Sequence, residues 1–399
     1  MLSFKKTHTI LYVHSSDEMY GTDRILLELV KQLDKQQFQA IVVLPNDIPY
    51  QGLLSKALQE HNIKTIHLNL AILRRKYFTP LGFLVYLFRL STSTVALVRL
   101  IQQESIQIVH SFTAAVIPGA IAAYITRQPH IWHVHEIIIH PRFLWRFTSW
   151  LIPRLSKQVV AVSEPTRKHL CTGNQLNEKK AIVIHNGIDI SNCASVSQEV
   201  REEWQVRPEQ PLVGMIGRVS HWKGQQYFLQ VANIVKQKNP QVCFALVGGT
   251  FPGQEHLLEE LKAFASQLNL SSSAIISNFR SDIPLVLEAY DIFVLPSTLP
   301  DPFPTVILEA MAAGKPVIAN AHGGSVEMVV HQVTGLLVEP DSPELMANAI
   351  QQLLDNPDER VTMGKRGRER LISHFSIQSC VDKWTHLYES LISTTSPYN

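Results

Sequence analysis

The chain has 399 residues and a formal net charge of +2, with 45% hydrophobic and 18% charged residues. One hydrophobic core rarely grows beyond about 250–300 residues, so this length predicts two domains. The composition excludes a disordered chain, and the near-neutral charge argues against a partner that binds through bulk charge, such as nucleic acid.

The cysteines lie far apart and show no Cys-x-x-Cys spacing, at Cys171, Cys193, Cys243 and Cys380. This pattern favours neither a zinc site nor a disulfide framework, and it is typical of a reducing cytoplasm. Residues 1–16 run into a strand without a signal-peptide cleavage pattern. We therefore expect a cytoplasmic protein.

Short, nearly continuous apolar runs alternate with helical patterns through the first half of the chain. Strands are predicted at Thr9–His14, from Gln39, at Ile63–Leu68, Ile106–Ser111, His130–His135 and Lys157–Ser163, and from Ala181. Helices are predicted at Gly21–Leu33 and Leu53–His61. Apolar runs without polar alternation indicate parallel strands that are covered on both faces.

The segment Arg74–Leu100 is the one membrane-like stretch. Its longest uncharged run, Tyr77–Phe88, is shorter than the roughly 18–20 residues that cross a bilayer. One interpretation is a monotopic helix on the membrane, with Arg74, Arg75 and Lys76 near anionic lipid. The other is one or two ordinary core helices with a polar cap, because amphipathicity alone does not separate the two cases.

A polar stretch, Ser191–Gln210, precedes a second alternating array. Its strands are predicted to begin at Pro211, Val242, Ser273, Asp291, Lys315 and Gly335, and a last amphipathic helix is predicted at Ile377–Leu391. Two such arrays predict an α/β protein with two Rossmann-like, doubly wound domains facing a central cleft. We place them at 1–195 and 208–372, with the helix at 376–392 packing back on the first domain.

Two cations follow the first strand of the second array. Arg218 comes directly after this strand, and Lys223 stands just before Gly224 and a predicted helix. Cations at a strand–loop–helix junction suit a polyphosphate, although lone surface charges are the ordinary alternative. Gly323 and Gly324 follow another strand, where they either let backbone N–H groups approach an anion or make a tight turn.

The stretch LPDPFPTVILEAMAAGKPV, Leu299–Val317, places two acids around one apolar helix. Asp301 lies in the Pro-rich turn before the helix, and Glu309 lies a little over one turn inside it. The helix start at Thr305 and Val306 has free amides that suit a phosphate group. Because a carboxylate does not bind phosphate directly, the two acids would accept hydrogen bonds from hydroxyl groups of the same ligand. The alternative for Glu309 is a structural acid that is bonded to backbone.

Two histidines share one face of the strand HIWHVH. His135, at the strand end, is predicted to be a hydrogen-bonding group in the cleft, and His133 a core histidine with satisfied ring nitrogens. No third ligand at a metal-like spacing accompanies them, so no metal site is predicted. Gly21, which opens a helix after the first strand, is a close-approach point for substrate, with Thr22 or Asp23 as the helix cap.

A set of motifs then points to one family. They are HE at His135, VSEPT at Val162, IHNGID at Ile184, GRVSHWKG at Gly217, DIFVLPS at Asp291, PFPTVILEAMAAGKPVIA at Pro302 and GLLVEPD at Gly335. Over nearly its whole length the chain resembles the retaining nucleotide-sugar glycosyltransferases of the GT-B fold, family four. The motifs GxSxG and GxGxxG, which hydrolases and nicotinamide dehydrogenases use, are absent from the sequence.

The resemblance implies a role for each candidate residue toward a nucleotide-diphosphate sugar. Arg218 and Lys223 would bind the donor diphosphate and stabilise it as it leaves. Glu309 matches the second acid of a Glu-x7-Glu motif, which binds the ribose. Asp301 replaces the first acid, which contacts the transferred sugar.

The remaining implied contacts come from both halves of the chain. His135 would reach the sugar, and Gly21 would lie near the donor phosphates or the acceptor. Phe279 and Arg280 stand where the family packs a loop on the nucleobase, but Asn278-Phe279-Arg280 departs from its commoner glycine-containing form.

The function implied is transfer of a sugar, with retention, to a hydroxyl of a polysaccharide or glycolipid precursor at the inner face of the plasma membrane. No cofactor or metal is expected, since the sequence has no Asp-x-Asp. The alternative is a non-catalytic nucleotide-sugar-binding protein, because Asp301 is one methylene, about 1.5 Å, shorter than Glu. The donor sugar, base, acceptor, linkage and oligomeric state stay open.

Overall fold

The computed structural model describes residues 7–172, 180–190, 198–250 and 253–394. The chain divides into two compact units: unit 1 is Met1–Gly187 with Ile377–Asn399, and unit 2 is Ile188–Ser376. The chain thus enters unit 2 earlier than the sequence suggests. The reason is that Ile188 pairs with Ser376, and its N–H donates to the Phe375 carbonyl at 3.2 Å.

Unit 1 is built on a seven-stranded parallel sheet of order β3-β2-β1-β4-β5-β6-β7. The strands are β1 His8–Val13, β2 Phe38–Pro45, β3 Lys64–Leu68, β4 Ile108–Phe112, β5 His130–Val134, β6 Gln158–Ala161 and β7 Ala181–Val183. The helices are α1 Gly21–Gln32, α2 Leu53–Glu60, a 3₁₀ turn at Arg75–Tyr77, α3 Pro80–Gln103, α4 Ile117–Thr126, α5 Arg142–Leu155 and α6 Glu164–Thr172.

Unit 2 is built on a six-stranded parallel sheet of order β10-β9-β8-β11-β12-β13. The strands are β8 Leu212–Ile216, β9 Cys243–Val247, β10 Ala274–Ser277, β11 Ile292–Leu295, β12 Val317–Asn320 and β13 Gly335–Val338. The helices are α7 Glu199–Glu203, α8 Gln225–Lys238, α9 His256–Gln267, α10 Ile283–Ala289, α11 Thr305–Ala312, α12 Ser325–Met328, α13 Pro343–Asp355 and α14 Pro357–His374.

The strand predictions are confirmed, each to within two residues at the predicted ends. Six inner strands, β4, β5, β8, β9, β11 and β12, have every residue buried, whereas the edge strands β3 and β10 have no buried residue. Both sheets have the strand order of a Rossmann-like, doubly wound domain, as the sequence predicts.

The polar stretch Ser191–Gln210 is not a free linker over its described part, residues 198–210. Helix α7 packs against α10, and Arg201 on it donates to Asp291 at 2.7 Å and to the Ala289 carbonyl at 2.9 Å. Residues 198–210 thus belong to unit 2.

The last helix, α15 Ile377–Ser393, packs in unit 1 on α1 and β4. Its buried Tyr388 hydroxyl lies 3.1 Å from the Tyr12 hydroxyl and 2.9 Å from His110 Nδ1. Within the described part of the chain the thiols of Cys243 and Cys380 are free, and Cys193 lies outside it.

Helix α3 agrees with the core-helix interpretation only in its second half. There Leu97, Leu100 and Ile101 enter the core, whereas in the first three turns Tyr86 is the buried residue. The helix is long and apolar enough to cross a membrane, and 22% of its most apolar window is buried. Arg74, which the membrane interpretation placed near lipid, is instead held within unit 1, because its Nε donates to the buried Asp47 at 2.8 Å.

Candidate active site

The loop between β8 and α8 carries both predicted cations, and a glutamine that the sequence analysis missed holds it in place. The buried Gln225 amide donates to the carbonyls of Gly217 at 3.2 Å and Arg218 at 3.0 Å. The backbone around Arg218 is therefore fixed from the first residue of the next helix. A glutamine directly after the loop glycine was the only sequence signal for this role.

Gly224, which precedes that helix, has no room for a side chain unless its surroundings shift. Its φ is +81°, and an added Cβ would lie 2.0 Å from the Pro296 carbonyl oxygen. This close approach packs the loop end against β11 and fixes the preceding residue, Lys223, above the Trp222 ring at 4.3 Å from its centroid.

The structure brings Lys223 and Asp301 together. The ammonium of Lys223 forms an ion pair with Asp301 Oδ2, and the two side chains are 18% and 11% exposed. The predicted diphosphate cation and the predicted sugar-binding acid thus occupy one site at the carboxyl edge of unit 2. Because both charges are largely removed from water, each depends on the other for compensation.

The two glycines after β12 have an explanation inside the protein. The Gly324 N–H donates to the Asp301 carbonyl at 2.7 Å. A Cβ on Gly323 would lie 2.2 Å from that same carbonyl oxygen, and one on Gly324 would lie 2.4 Å from the Pro302 carbonyl oxygen. Of the two sequence interpretations, close packing in a tight turn accounts for both glycines, and the Gly324 amide is already engaged.

Helix α11 begins at Thr305, directly after Pro304, as predicted. Thr305 and Val306 are half-buried, and their amides belong to the first turn, where a helix has no intrahelical acceptors for its N–H groups. Glu309 is also half-buried, on a helix whose Leu308 and Ala310 neighbours are buried. The acid thus lies on the partly open flank of the helix rather than in the core.

The two predicted nucleobase-binding residues, Phe279 and Arg280, differ in whether their side chains already contact other residues of unit 2. The Phe279 side chain is 54% exposed. The Arg280 guanidinium instead donates to Asp282 at 2.6 and 2.9 Å and to Glu203 at 2.6 Å, and these bonds raise its pKa. Arg280 is therefore held by two carboxylates of unit 2, and Phe279 offers the open ring face.

In unit 1, His135 follows β5 as a neutral imidazole. Burial, followed by the nearby His14, lowers the pKa of His135 to about 3. Its Nε2 is buried and has no hydrogen-bond partner among the described residues, while the ring stacks on Phe112 at 5.4 Å between centroids. A neutral ring with an unfilled nitrogen suits a hydroxyl ligand.

The start of α1 beside this strand edge is held by Asp23, one of the two predicted caps. Its carboxylate accepts the Tyr20 N–H at 2.9 Å and lies 2.8 Å from Nε2 of the buried His14, a residue that the sequence analysis missed. Burial alone would raise the pKa of Asp23, but the hydrogen bond and charge of His14, together with the hydrogen bonds from Ser16 and the Tyr20 N–H, lower it. Gly21, the first residue of the helix, is exposed.

His133 is a core residue, but the prediction that its nitrogens are satisfied was wrong. The side chain is fully buried, and neither nitrogen has a hydrogen-bond partner among the described residues. Its ring packs on Trp384 at 4.7 Å and on His135 at 4.0 Å between centroids, and burial lowers its pKa well below the usual range. No group of three or more metal-ligating side chains was found in the described residues.

Two family models match the chain, one in each unit. "Glycosyltransferase Family 4" matches residues 19–192, and "Glycosyl transferases group 1" matches residues 196–370. The chain belongs to these glycosyltransferases. It is therefore a transferase enzyme of the GT-B fold, as the sequence motifs predicted.

Several relatives of this glycosyltransferase have named activities. The UDP-Gal:α-D-GlcNAc-diphosphoundecaprenol α-1,3-galactosyltransferase of Escherichia coli is 24% identical, over 97% of this chain and 99% of its own length. The capsular polysaccharide biosynthesis glycosyltransferase CapM of Staphylococcus aureus is 26% identical, over 77% and 83%. The solved structure of Anabaena HepE in complex with UDP and glucose has a TM-score of 0.81 and 26% identity, covering 96% of this chain and all of that one.

Proposed function

We propose that this glycosyltransferase moves a hexose from a nucleotide-diphosphate sugar to a hydroxyl acceptor, with retention of anomeric configuration. The observation that carries the proposal is the Lys223–Asp301 ion pair at the carboxyl edge of β8 and β11, the edge where open α/β sheets bind ligands. The donor class is supported by the UDP-Gal substrate of the Escherichia coli relative and by the UDP and glucose bound to HepE.

The proposed chemistry is electrostatic. Arg218 and Lys223, with the first amides of α11, neutralise the diphosphate as it leaves an oxocarbenium-like sugar. Asp301 then accepts a hydrogen bond from a hydroxyl of the transferred sugar, and Glu309 accepts from the ribose. Because side chains and amides supply the positive charge, we propose a reaction without a metal ion or other cofactor.

Unit 1 contributes neutral polar groups in this proposal. His135 stays uncharged near neutral pH, so its ring offers a hydrogen bond to a carbohydrate hydroxyl. Gly21, at the exposed start of α1, allows close approach of an acceptor or a phosphate.

We propose a carbohydrate or lipid-linked acceptor from polysaccharide or glycolipid assembly. The Escherichia coli relative acts on a diphosphoundecaprenol-linked sugar, and the Staphylococcus aureus relative serves capsule synthesis. A lipid-linked acceptor places the enzyme at the inner face of the plasma membrane, and we propose peripheral contact through residues 74–100.

A donor panel tests this function. Thermal shift with UDP-, GDP- and ADP-sugars should show stabilisation by at least one of them, and Arg218→Ala and Lys223→Ala should each abolish transfer. Lys262→Ala is the matched control, since that lysine lies on the surface of the same unit at 53% exposure. Full transfer by both site variants, or no stabilisation by any donor, contradicts the proposal.

The second candidate, a binding protein without transferase activity, has one observation behind it. Asp301 is shorter than the family glutamate, and Lys223 holds its carboxylate. If the natural chain binds donor without transfer and Asp301→Glu alone restores transfer, this second candidate is correct.

A further inference from the structure

The first three turns of α3 place apolar side chains on the outside. Leu81, Leu84, Val85 and Phe88 repeat at helical spacing along one face, and their exposed fractions run from 42% to 74%. The face that packs inward carries Tyr86 over these turns. A soluble helix shows the opposite arrangement, so this stretch has an apolar face without a protein partner among the described residues.

Helix α5 repeats the same inverted pattern. Its buried residues are Thr148, Ser149 and Ile152, two of them polar. Its outer stripe is Phe143, Phe147 and Trp150, exposed by 61%, 43% and 47%. Spacings of four and then three residues put these aromatic rings on one face.

An aromatic contact joins the two helices into one surface. The ring of Phe78, just before α3, meets the ring of Phe143 edge-on at 5.7 Å between centroids. We define the α3–α5 surface as the exposed apolar residues Phe78, Leu81, Leu84, Val85, Phe88, Phe143, Phe147 and Trp150. Contiguous apolar surface of this kind marks an interaction site in soluble proteins.

The two segments that carry the α3–α5 surface hold charges of a single sign. Neither 69–103 nor 137–163 contains an acidic residue. The exposed cations Arg75, Lys76, Arg142, Arg146 and Arg154 accompany the apolar stripes. Arg154 also lies over the Trp150 ring at 4.7 Å, which keeps a cation beside the aromatic stripe.

The apolar side chains and the cations together indicate which partner the α3–α5 surface binds. A second copy packed about a two-fold axis would bring the same cations face to face, which disfavours a dimer here. An anionic bilayer instead accepts aromatic and aliphatic side chains at its acyl boundary and cations at its phosphates. We propose that α5 is a second membrane-binding element, and that the α3–α5 surface as a whole lies on an anionic lipid bilayer.

The inference rests on the membrane contact proposed above and adds to it a required partner helix. Residues 74–100 alone do not make the surface, because the Phe78 ring contacts the Phe143 ring of α5 and three of the exposed arginines lie on α5. Arg74 is not part of it, since Asp47 holds that side chain.

Flotation of the full chain with vesicles tests the surface. We expect binding to phosphatidylcholine vesicles that contain about a third phosphatidylglycerol, and release as salt rises. Phe143→Glu combined with Trp150→Glu should lower binding about tenfold or more, and each neutralised arginine of α5 should lower it about fivefold. Val361→Glu is the matched control, a substitution at a 68% exposed apolar residue of another helix, and should bind like the natural chain.

The conservative variant Trp150→Phe controls for loss of binding that is caused by misfolding. Phospholipids brominated in their acyl chains should quench the fluorescence of Trp150, and Trp150→Phe should remove most of that quenching while the protein stays folded. Absence of flotation, α5 variants that float like the natural chain, or a concentration-dependent dimer that these variants dissociate would each overturn the proposal. Flotation needs no nucleotide sugar, so the two proposals can fail separately. A protein that binds a nucleotide sugar but does not float with vesicles refutes the membrane surface alone. A protein that floats but binds no nucleotide sugar refutes the proposed donor alone.

Discussion

The Lys223–Asp301 ion pair allows the structural and catalytic roles of one lysine to be separated. We consider Lys223→Met, which keeps the aliphatic length and removes the charge. Asp301 would then keep a carboxylate that is 11% exposed and has lost its cation. The first effect expected is therefore on stability, before any effect on transfer.

The size of that effect follows from the burial of the pair. Breaking a buried ion pair on one side costs about 3–5 kcal/mol, and exposed pairs contribute about 0–1 kcal/mol. With the lysine 18% exposed, the expected cost lies between, at about 2–3 kcal/mol. For a unit of this size that corresponds to a fall in Tm of about 4–12 °C.

The assay is thermal and urea unfolding of four proteins: the natural chain, Lys223→Met, Asp301→Asn and the double variant. The double variant leaves no uncompensated charge, so it should regain most of the lost stability, with a coupling energy of about 1–3 kcal/mol. It should not regain transfer, because the diphosphate still lacks its cation. Lys262→Met, on the surface of unit 2, should unfold like the natural chain.

Two results would refute this reasoning. A Lys223→Met protein as stable as the natural chain would mean that the two charges do not compensate one another. A double variant that transfers sugar at the natural rate would remove Lys223 from the diphosphate site.

Three further predictions concern single residues. Arg74→Ala should lower the free energy of unfolding by about 2–3 kcal/mol, because it removes the cation that pairs with the fully buried Asp47 carboxylate. The control Arg75→Ala, at an exposed neighbour, should change the free energy of unfolding little, and equal urea unfolding curves for the two variants would contradict this prediction. Gly224→Ala should lower the free energy of unfolding by about 2–4 kcal/mol, because its φ is positive and the new Cβ would lie 2.0 Å from a carbonyl oxygen. The control Gly253→Ala, at φ +83° with open space around the added Cβ, should lower it by only about 1–2 kcal/mol through backbone strain, in the same unfolding measurement. His133→Phe should make stability less dependent on pH. The folded pKa of His133 lies below its unfolded value, so the unfolded chain binds the extra proton and stability falls as pH drops below about 6.5. Removing the imidazole should flatten that slope by up to about 1.4 kcal/mol per pH unit below about pH 6.5, measured by urea unfolding at several pH values, and an unchanged slope would show that His133 does not titrate on unfolding.

The sequence determined the fold because local patterns are sufficient for it. Apolar runs without alternation specify strands that are buried on both faces, and thirteen of them in two arrays specify two parallel sheets. The helix after Asp301 was also readable, since Pro304 directly precedes its first residue and Gly314, at φ +65°, follows its end.

The residue types of the candidate site were readable from the motifs, but contacts between residues that are distant in sequence were not. Lys223 and Asp301 were each predicted as ligand-binding residues, but their contact joins positions 78 residues apart. No periodicity encodes such a contact, because it depends on where two strands end at the same sheet edge. The same limit applies to Arg74, whose partner Asp47 follows another strand.

The sequence by itself therefore determined the two parallel sheets, the family motifs and the residue types of the site. The tertiary structure decided which of those side chains are already engaged: Gly324 by a carbonyl, Arg280 by two carboxylates, Lys223 by Asp301. It also decided which faces of α3 and α5 are exposed, since their apolar residues suit a core and a membrane equally. The physical reason is that patterning depends on neighbours along the chain, whereas engagement and exposure depend on neighbours in space.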